Sequence, residues 1–216
     1  MKQVLLSFDN GPHLQATPDL LRVLARRNLK ATFFLVGTSL TLPGAREVAA
    51  RIHGEGHRIG NHTLTHGAPL GRRPERGVAK REIGEMQDLL GDLAPQRIFR
   101  PNGEKGQLGP HLLSQDAVDY LRVHNYTAVT WNCVPQDWLG PPGSWVTRAY
   151  DAMANQDWTA IVLHDHRMAG AMAFLEGFLD TLIEWNYEFS DQFPPECVLI
   201  RDGQAMGALE GHYTPA

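Results

Sequence analysis

The sequence is poor in cysteine, with only Cys133 and Cys197 among 216 residues. A pair so sparse and so far apart builds no disulfide framework, and both thiols are expected to stay reduced. Long apolar runs are missing too. Nothing approaches the roughly 20 residues of a membrane-crossing helix, so no membrane association is expected. The start of the chain has no signal-peptide character, because Met1-Lys2-Gln3 runs straight into the short strand-like Val4-Leu5-Leu6. With Met1 as the true start, the chain is expected to be cytoplasmic. There is no excess of positive charge: the formal net charge is −4, which argues against nucleic acid or an anionic membrane surface as a partner. Internal repeats and low-complexity linkers are also absent. What remains is a chain that is 43% hydrophobic, ample for a core, and of a length that suits one domain over residues 1–216.

Apolar patterning predicts strands over residues 4–8, 31–36, 58–59, 98–99, 126–131 and 159–163, with a further one over 197–200. Helices are predicted between them, over 43–53, 75–90, 110–123, 144–153 and 171–185. An earlier helix is expected to open at Thr17-Pro18-Asp19, with Thr17 as N-cap and Pro18 in the first helical position. Gly77 and Gly84 weaken the helix over 75–90. Six or seven strand–helix units make the pattern of a parallel sheet covered by helices. In a barrel of this kind catalytic groups gather at the C-terminal ends of the strands. Asp9, His62, Arg100, Asp137 and His164 all fall at or just after a predicted strand end.

Two histidines four apart, His62 and His66, carry the strongest chemical signal. On one turn of helix they share a face and can bind one divalent metal. A lone pair of this spacing is as often a pair of surface or capping histidines. Here the polar neighbours Gly60, Asn61, Thr63 and Thr65 favour ligands. Zinc is the first choice, although nickel, cobalt and iron also accept imidazole. Asp9-Asn10-Gly11-Pro12 is strong turn chemistry in itself, yet at a strand end both polar side chains can reach one cavity. His164 is a candidate general acid, since an imidazole titrates near neutrality. Arg100 can orient a carboxylate. Cys133 reads as a small buried filler. His13 and His166 lie near these residues without an assigned role.

Taken in order, Phe8-Asp9-Asn10-Gly11-Pro12, Ala31-Thr32-Phe33-Phe34, Asn61-His62-Thr63-Leu64-Thr65-His66, Phe99-Arg100-Pro101, Asp137-Trp138 and Leu163-His164-Asp165 resemble the motifs of the polysaccharide deacetylase (NodB-homology) family, also called carbohydrate esterase family four. The resemblance runs from about residue 4 to about residue 185. It implies an α/β fold of the incomplete, distorted (β/α)7-barrel type and hydrolysis of an amide, typically an N-acetyl group on an amino sugar. By the same resemblance Asp9 is the base, His164 the acid, Arg100 the residue that orients the base and Asp137 the one that tunes His164. Asn10, His62 and His66 stand at the metal positions. Pro101, Gly103, Trp138 and Leu163 stand at substrate positions, Trp138 lining the acetyl pocket, and a backbone N–H for the oxyanion is placed at Gly103. The implied partner is a small-molecule or oligosaccharide substrate.

The match is imperfect in three places. Asn10 stands where the family has a second aspartate, Asn102-Gly103 replaces a proline and an aromatic, and Val134 replaces an acid. A neutral Asn10 predicts a weaker metal site, a different metal, or none. Two rivals follow: a metal-independent hydrolase of a small cyclic amide, and an inactive relative that binds an acylated sugar.

Overall fold

Every side chain from Val4 to Asp9 in strand β1 (Gln3–Gly11) is buried. That marks a central strand covered on both faces. In the computed structural model, which describes residues 1–73 and 75–215, β1 lies between two parallel neighbours, β2 (Thr32–Leu35) and β7 (Trp158–His164). β3 (Arg58–Asn61), β4 (Ile98–Phe99) and β6 (Thr127–Val129) continue the sheet beyond β2 in parallel. β9 (Val198–Arg201) then joins β6 antiparallel, and β10 (Gln204–Ala205) joins β9 the same way. The all-parallel sheet predicted from the alternation is therefore corrected at this edge. Strand direction there is set by a C-terminal segment that returns to the sheet without a crossover helix. The short β8 (Glu188–Phe189) pairs with the start of β1.

The sheet curls into the incomplete barrel the resemblance implied. Beyond β6 the chain swings back, and Cys133 forms a single parallel bridge to Ile161 of β7. The Val162 N–H donates to the Cys133 carbonyl at 2.9 Å. One bridge in place of a full ladder leaves this seam distorted.

Helices cover the sheet: α1 (Ala16–Arg26), the short α2 (Gly37–Leu40), α3 (Ala45–Gly54), α4 (Met86–Leu90), α5 (Gln115–Val123), α6 (Trp145–Ala154) and α7 (Met172–Glu184). Most of their apolar faces meet the strands in one large cluster that includes Leu20, Leu24, Ile52, Trp145, Phe178 and Leu182, while α5 packs through Ala117, Val118 and Leu121 in a second one. At about 1.5–3 kcal/mol for each large apolar side chain buried, such residues supply the main drive for folding. Among the described residues no helix is long and apolar enough to cross a membrane.

Three local expectations are corrected. Thr17 is not the N-cap of α1, which begins at Ala16. The Ala16 N–H is accepted by His13 Nδ1 at 3.0 Å, while the buried Thr17 hydroxyl donates to Asp165. The same hydroxyl oxygen accepts from the His13 N–H at 2.8 Å, so Thr17 bridges that backbone to a carboxylate just past the end of β7. The helix expected over 110–123 is broken by β5 (Leu113–Ser114), which pairs with β11 (Tyr213–Thr214) from the far end of the chain. Ser114 caps α5, its Oγ accepting from the Ala117 N–H at 3.2 Å. The segment leading into α4 is a π-helix over Lys80–Glu85. There Gly84 packs so closely on Tyr120 that a Cβ would collide with it.

Candidate active site

His62 and His66 do not lie on a helix. His62 follows β3 directly, and the segment to His66 is an irregular loop in which Thr63 and His66 both take positive φ, at 72° and 50°. The rings still converge, with centroids 5.0 Å apart. The loop is held from outside. The buried Glu82 accepts from the Thr65 N–H at 3.0 Å, from the Thr65 hydroxyl and from Arg73 at 2.8 Å. Its backbone carbonyl accepts from the Leu64 N–H at 2.8 Å. Asn102 Nδ2 adds a bond to the Gly67 carbonyl at 2.5 Å. Sequence reasoning missed both anchors. Glu82 shares its helical stretch with Glu75, Glu85 and Asp88, and nothing local distinguishes it from a solvated acid.

The strand ends deliver the other groups. Asp9 sits at the end of β1, its carboxylate held by Arg100 Nη1 at 2.8 Å. Arg100 follows β4 and is wholly buried. It also donates to Ser7 Oγ at 2.7 Å and to the Thr130 carbonyl at 3.2 Å, and its guanidinium lies 4.0 Å from the Phe34 ring centroid. His62 Nδ1 meets the Arg100 carbonyl at 2.8 Å, and its Nε2 is 3.6 Å from Asp9 Oδ2. With Nδ1–H donating to a carbonyl, the Nε2 lone pair faces Asp9. Asn10 has φ 70°, a conformation asparagine tolerates. Its Oδ1 is buried with no hydrogen-bond partner among the described residues. His164 ends β7, and Asp137 reaches it from the long loop after β6, not from a strand end as the sequence suggested. Asp137 Oδ1 lies 2.8 Å from His164 Nδ1, and Asp137 Oδ2 accepts from the His164 N–H at 2.8 Å.

These groups face one cavity of about 250 Å³. Asp9, Asn10, His62, His66, His164 and Trp138 line it, Trp138 edge-on to His164 at 5.3 Å between centroids. Gly103 lines it as well, pressed against Trp131 so that a Cβ there would lie 2.6 Å from the indole. Arg100 and Asp137 stand behind Asp9 and His164 and do not line it. Two expected substrate contacts are also off the wall. Leu163 is fully buried in the core, and the lining residues of β7 are its two neighbours Val162 and His164, because successive strand residues face opposite sides. Pro101 is buried beside Arg100 and is not among the lining residues. Trp131, Val134, Lys105, His166 and Arg167 line the cavity without having been singled out as contacts. His13 caps α1 outside it.

Burial pushes His62 down to about 4, and lowers His66 as well, so both imidazoles are neutral at pH 7. For His164 burial works downward too. The hydrogen bond and charge of Asp137, with the charges of Asp9 and Asp165, outweigh it and raise the group above an ordinary histidine. A raised histidine stabilises the fold fully below the unfolded value of about 6.5, and that contribution is lost as pH rises through the folded value. Cys133, far from nucleophilic, is pushed up to about 12 by burial.

Among the described residues no three His, Cys, Asp or Glu side chains gather into a metal cage. His62, His66 and Asn10 do line one cavity. The unpartnered Asn10 Oδ1 and the outward Nε2 of His62 are donors of the type that suits a divalent cation.

The chain is 30% identical over 184 residues to a peptidoglycan-N-acetylglucosamine deacetylase of Bacillus cereus, which covers 83% of this chain and 60% of that protein. It is 32% identical over 140 residues to a chitooligosaccharide deacetylase of a Bradyrhizobium species, covering 65% of this chain and 60% of that one. This chain thus spans about 60% of the length of either curated relative. Among solved structures, the polysaccharide deacetylase Bc1974 of Bacillus cereus superimposes with a TM-score of 0.72 at 25% identity, covering 90% of this chain and 96% of that one. The polysaccharide deacetylase family model matches residues 1–129, the stretch that carries Asp9, Asn10, His62, His66 and Arg100. The chain belongs to the polysaccharide deacetylase family.

Proposed function

We propose that the chain hydrolyses the amide of an N-acetylated sugar or a related small N-acyl compound, with a divalent metal, zinc by first choice, held by Asn10, His62 and His66. One observation carries this reading: a carboxylate fixed by a buried arginine and a histidine backed by a carboxylate face each other across a cavity that also holds two neutral imidazoles. The relatives named as deacetylases support the same substrate class.

A divalent cation, when bound, supplies Lewis acidity toward the acyl carbonyl and acidifies water. Asp9, oriented by Arg100, takes the proton of the attacking water. The Gly103 N–H offers a hydrogen bond to the oxygen that gains charge. His164, kept protonated by Asp137, gives its proton to the departing amine, while Trp138 and Trp131 wall the acyl group and exclude water. The result is a free amine and acetate.

Acetate release from chitooligosaccharides, with and without chelator, tests the reaction. Activity that survives complete removal of metal would favour the cyclic-amide type of site, and binding without release would favour an inactive binder. The metal arm has its own readout in Asn10→Asp. The positive φ suits aspartate as well, so the exchange adds charge without moving the backbone. Zinc affinity by calorimetry should tighten by on the order of tenfold, about 1.4 kcal/mol. Unchanged affinity would remove Asn10 from the ligand set.

Asp137→Asn tests the tuning of His164. Without the carboxylate, burial dominates and the His164 pKa falls. The alkaline limb of the pH–rate profile should then move to lower pH, with turnover at pH 8 dropping more than turnover at pH 6. A limb that stays in place would mean that His164 is not the group titrating there.

A further inference from the structure

The cavity has an unusual charge for this protein. The chain is net negative, yet among the described lining residues Asp9 is the one carboxylate, and Arg100 already holds it. Two full cations line the same cavity, Lys105 and Arg167. Neither forms an ion pair or side-chain hydrogen bond among the described residues. Some arginines elsewhere are ion-paired, among them Arg27 with Asp180 at 2.6 Å, Arg72 with Glu104 at 2.7 Å and Arg73 with Glu82 at 2.8 Å; what sets Lys105 and Arg167 apart is that they line this cavity. Glu104 adjoins Lys105 in sequence and is committed to Arg72, so it does not neutralise the cavity. Asp137 and Asp165 stand behind the wall, the first on His164 and the second on Thr17 and the His13 N–H.

Lys105 and Arg167 come from different segments, a loop after β4 and the 3-10 helix Asp165–Gly170 after β7. Lys105 precedes Gly106, which packs on Val134, and Arg167 follows His166, whose ring lies 5.8 Å from that of His164. Charge from two separate elements converges on the space where a substrate would sit. Trp131, Val134, Trp138 and Val162 give the cavity an apolar side, opposite in character to the imidazoles and Asn10. A concave site lined by charge of one sign with low-dielectric walls focuses the field and draws in ions of the other sign. Arginine suits a planar carboxylate or a phosphate through paired N–H donors, and lysine adds a point charge.

We propose that Lys105 and Arg167 form an anion-recognising rim, so that the N-acyl substrate of this site carries a carboxylate or phosphate group near the amide. This rests on the hydrolase reading above and narrows it to a charged substrate class.

The test compares N-acetylglucosamine, its 6-phosphate and its 3-O-lactyl ether, which bears a carboxylate. At least one charged compound should exceed the neutral sugar in kcat/KM by about tenfold, or about 1.4 kcal/mol, mainly through KM. Added salt should erode the ratio, because rim charges are screened. Arg167→Ala and Lys105→Ala should each bring the ratio down toward one, and the preferred anion tells phosphate from carboxylate. Equal efficiency on all three, with ratios unmoved by either substitution, overturns the rim and leaves the hydrolase intact. If acetate is released neither from these nor from chitooligosaccharides, the hydrolase reading fails, and calorimetry with glucosamine 6-phosphate decides the rim. Binding that Arg167→Ala abolishes supports it, and no binding to the unaltered chain overturns it.

Discussion

Replacing Arg100 with methionine is expected to destabilise the fold by about 3–5 kcal/mol, because it strands a buried charge. Arg100 is completely buried, and it is the group that compensates the carboxylate of Asp9, itself 3% exposed. Methionine keeps much of the volume under Phe34 but removes the donors to Asp9, Ser7 and Thr130. Urea unfolding should show the midpoint fall with little change in slope. The double variant Arg100→Met/Asp9→Asn separates charge from packing. If the stranded carboxylate causes the loss, neutralising it restores a large part of the stability, as expected for directly coupled neighbours. A single variant within about 1 kcal/mol of the unaltered chain, or a double variant with no recovery, would mean that the pair does not hold this part of the barrel together.

His164→Ala should slow amide hydrolysis by about 10²–10⁴-fold, the range for loss of a positioned general acid. The substitution also breaks the contact with Asp137, which would leave that carboxylate with the His164 N–H as its remaining recorded partner. The loss must therefore be shown to lie in proton delivery. An activated ester such as 4-nitrophenyl acetate provides the contrast, since its phenolate departs without being protonated whereas an amine cannot. The variant should lose far less on the ester than on an N-acetyl sugar. Equal losses on both would assign His164 to binding or to local folding. Zinc affinity should be little changed, because His164 is not in the proposed ligand set.

The fate of individual residues shows how far local pattern reaches. The strand–helix alternation placed β1, β2, β3, β4, β6 and β7, because all but β3 are short apolar runs bounded by polar or glycine-containing segments, and β3 falls where the alternation requires a strand. Asp9, His62, Arg100 and His164 were legible as strand-end residues and do converge on one part of the molecule. Asp137 was legible by its motif, and the prolines that flank Asp137-Trp138 are those of a loop. Leu163 was misplaced by one residue, and in a strand one residue reverses the face. Glu82, Asn102, Lys105 and Arg167 carry no local signal at all, since their meaning depends on what stands across a gap from them.

The sequence by itself determined the secondary-structure alternation and the order of the polar strand ends, because these follow from hydrophobic period and residue chemistry along the chain; the barrel class came from the family resemblance its motifs carry. The tertiary structure decided the rest. It set the irregular His62–His66 loop clamped by Glu82, the antiparallel return of β9, the single-bridge closure at Cys133 and the unpartnered oxygen of Asn10. Each of these depends on groups far apart in sequence competing for one another, and that competition is settled only when the chain is packed.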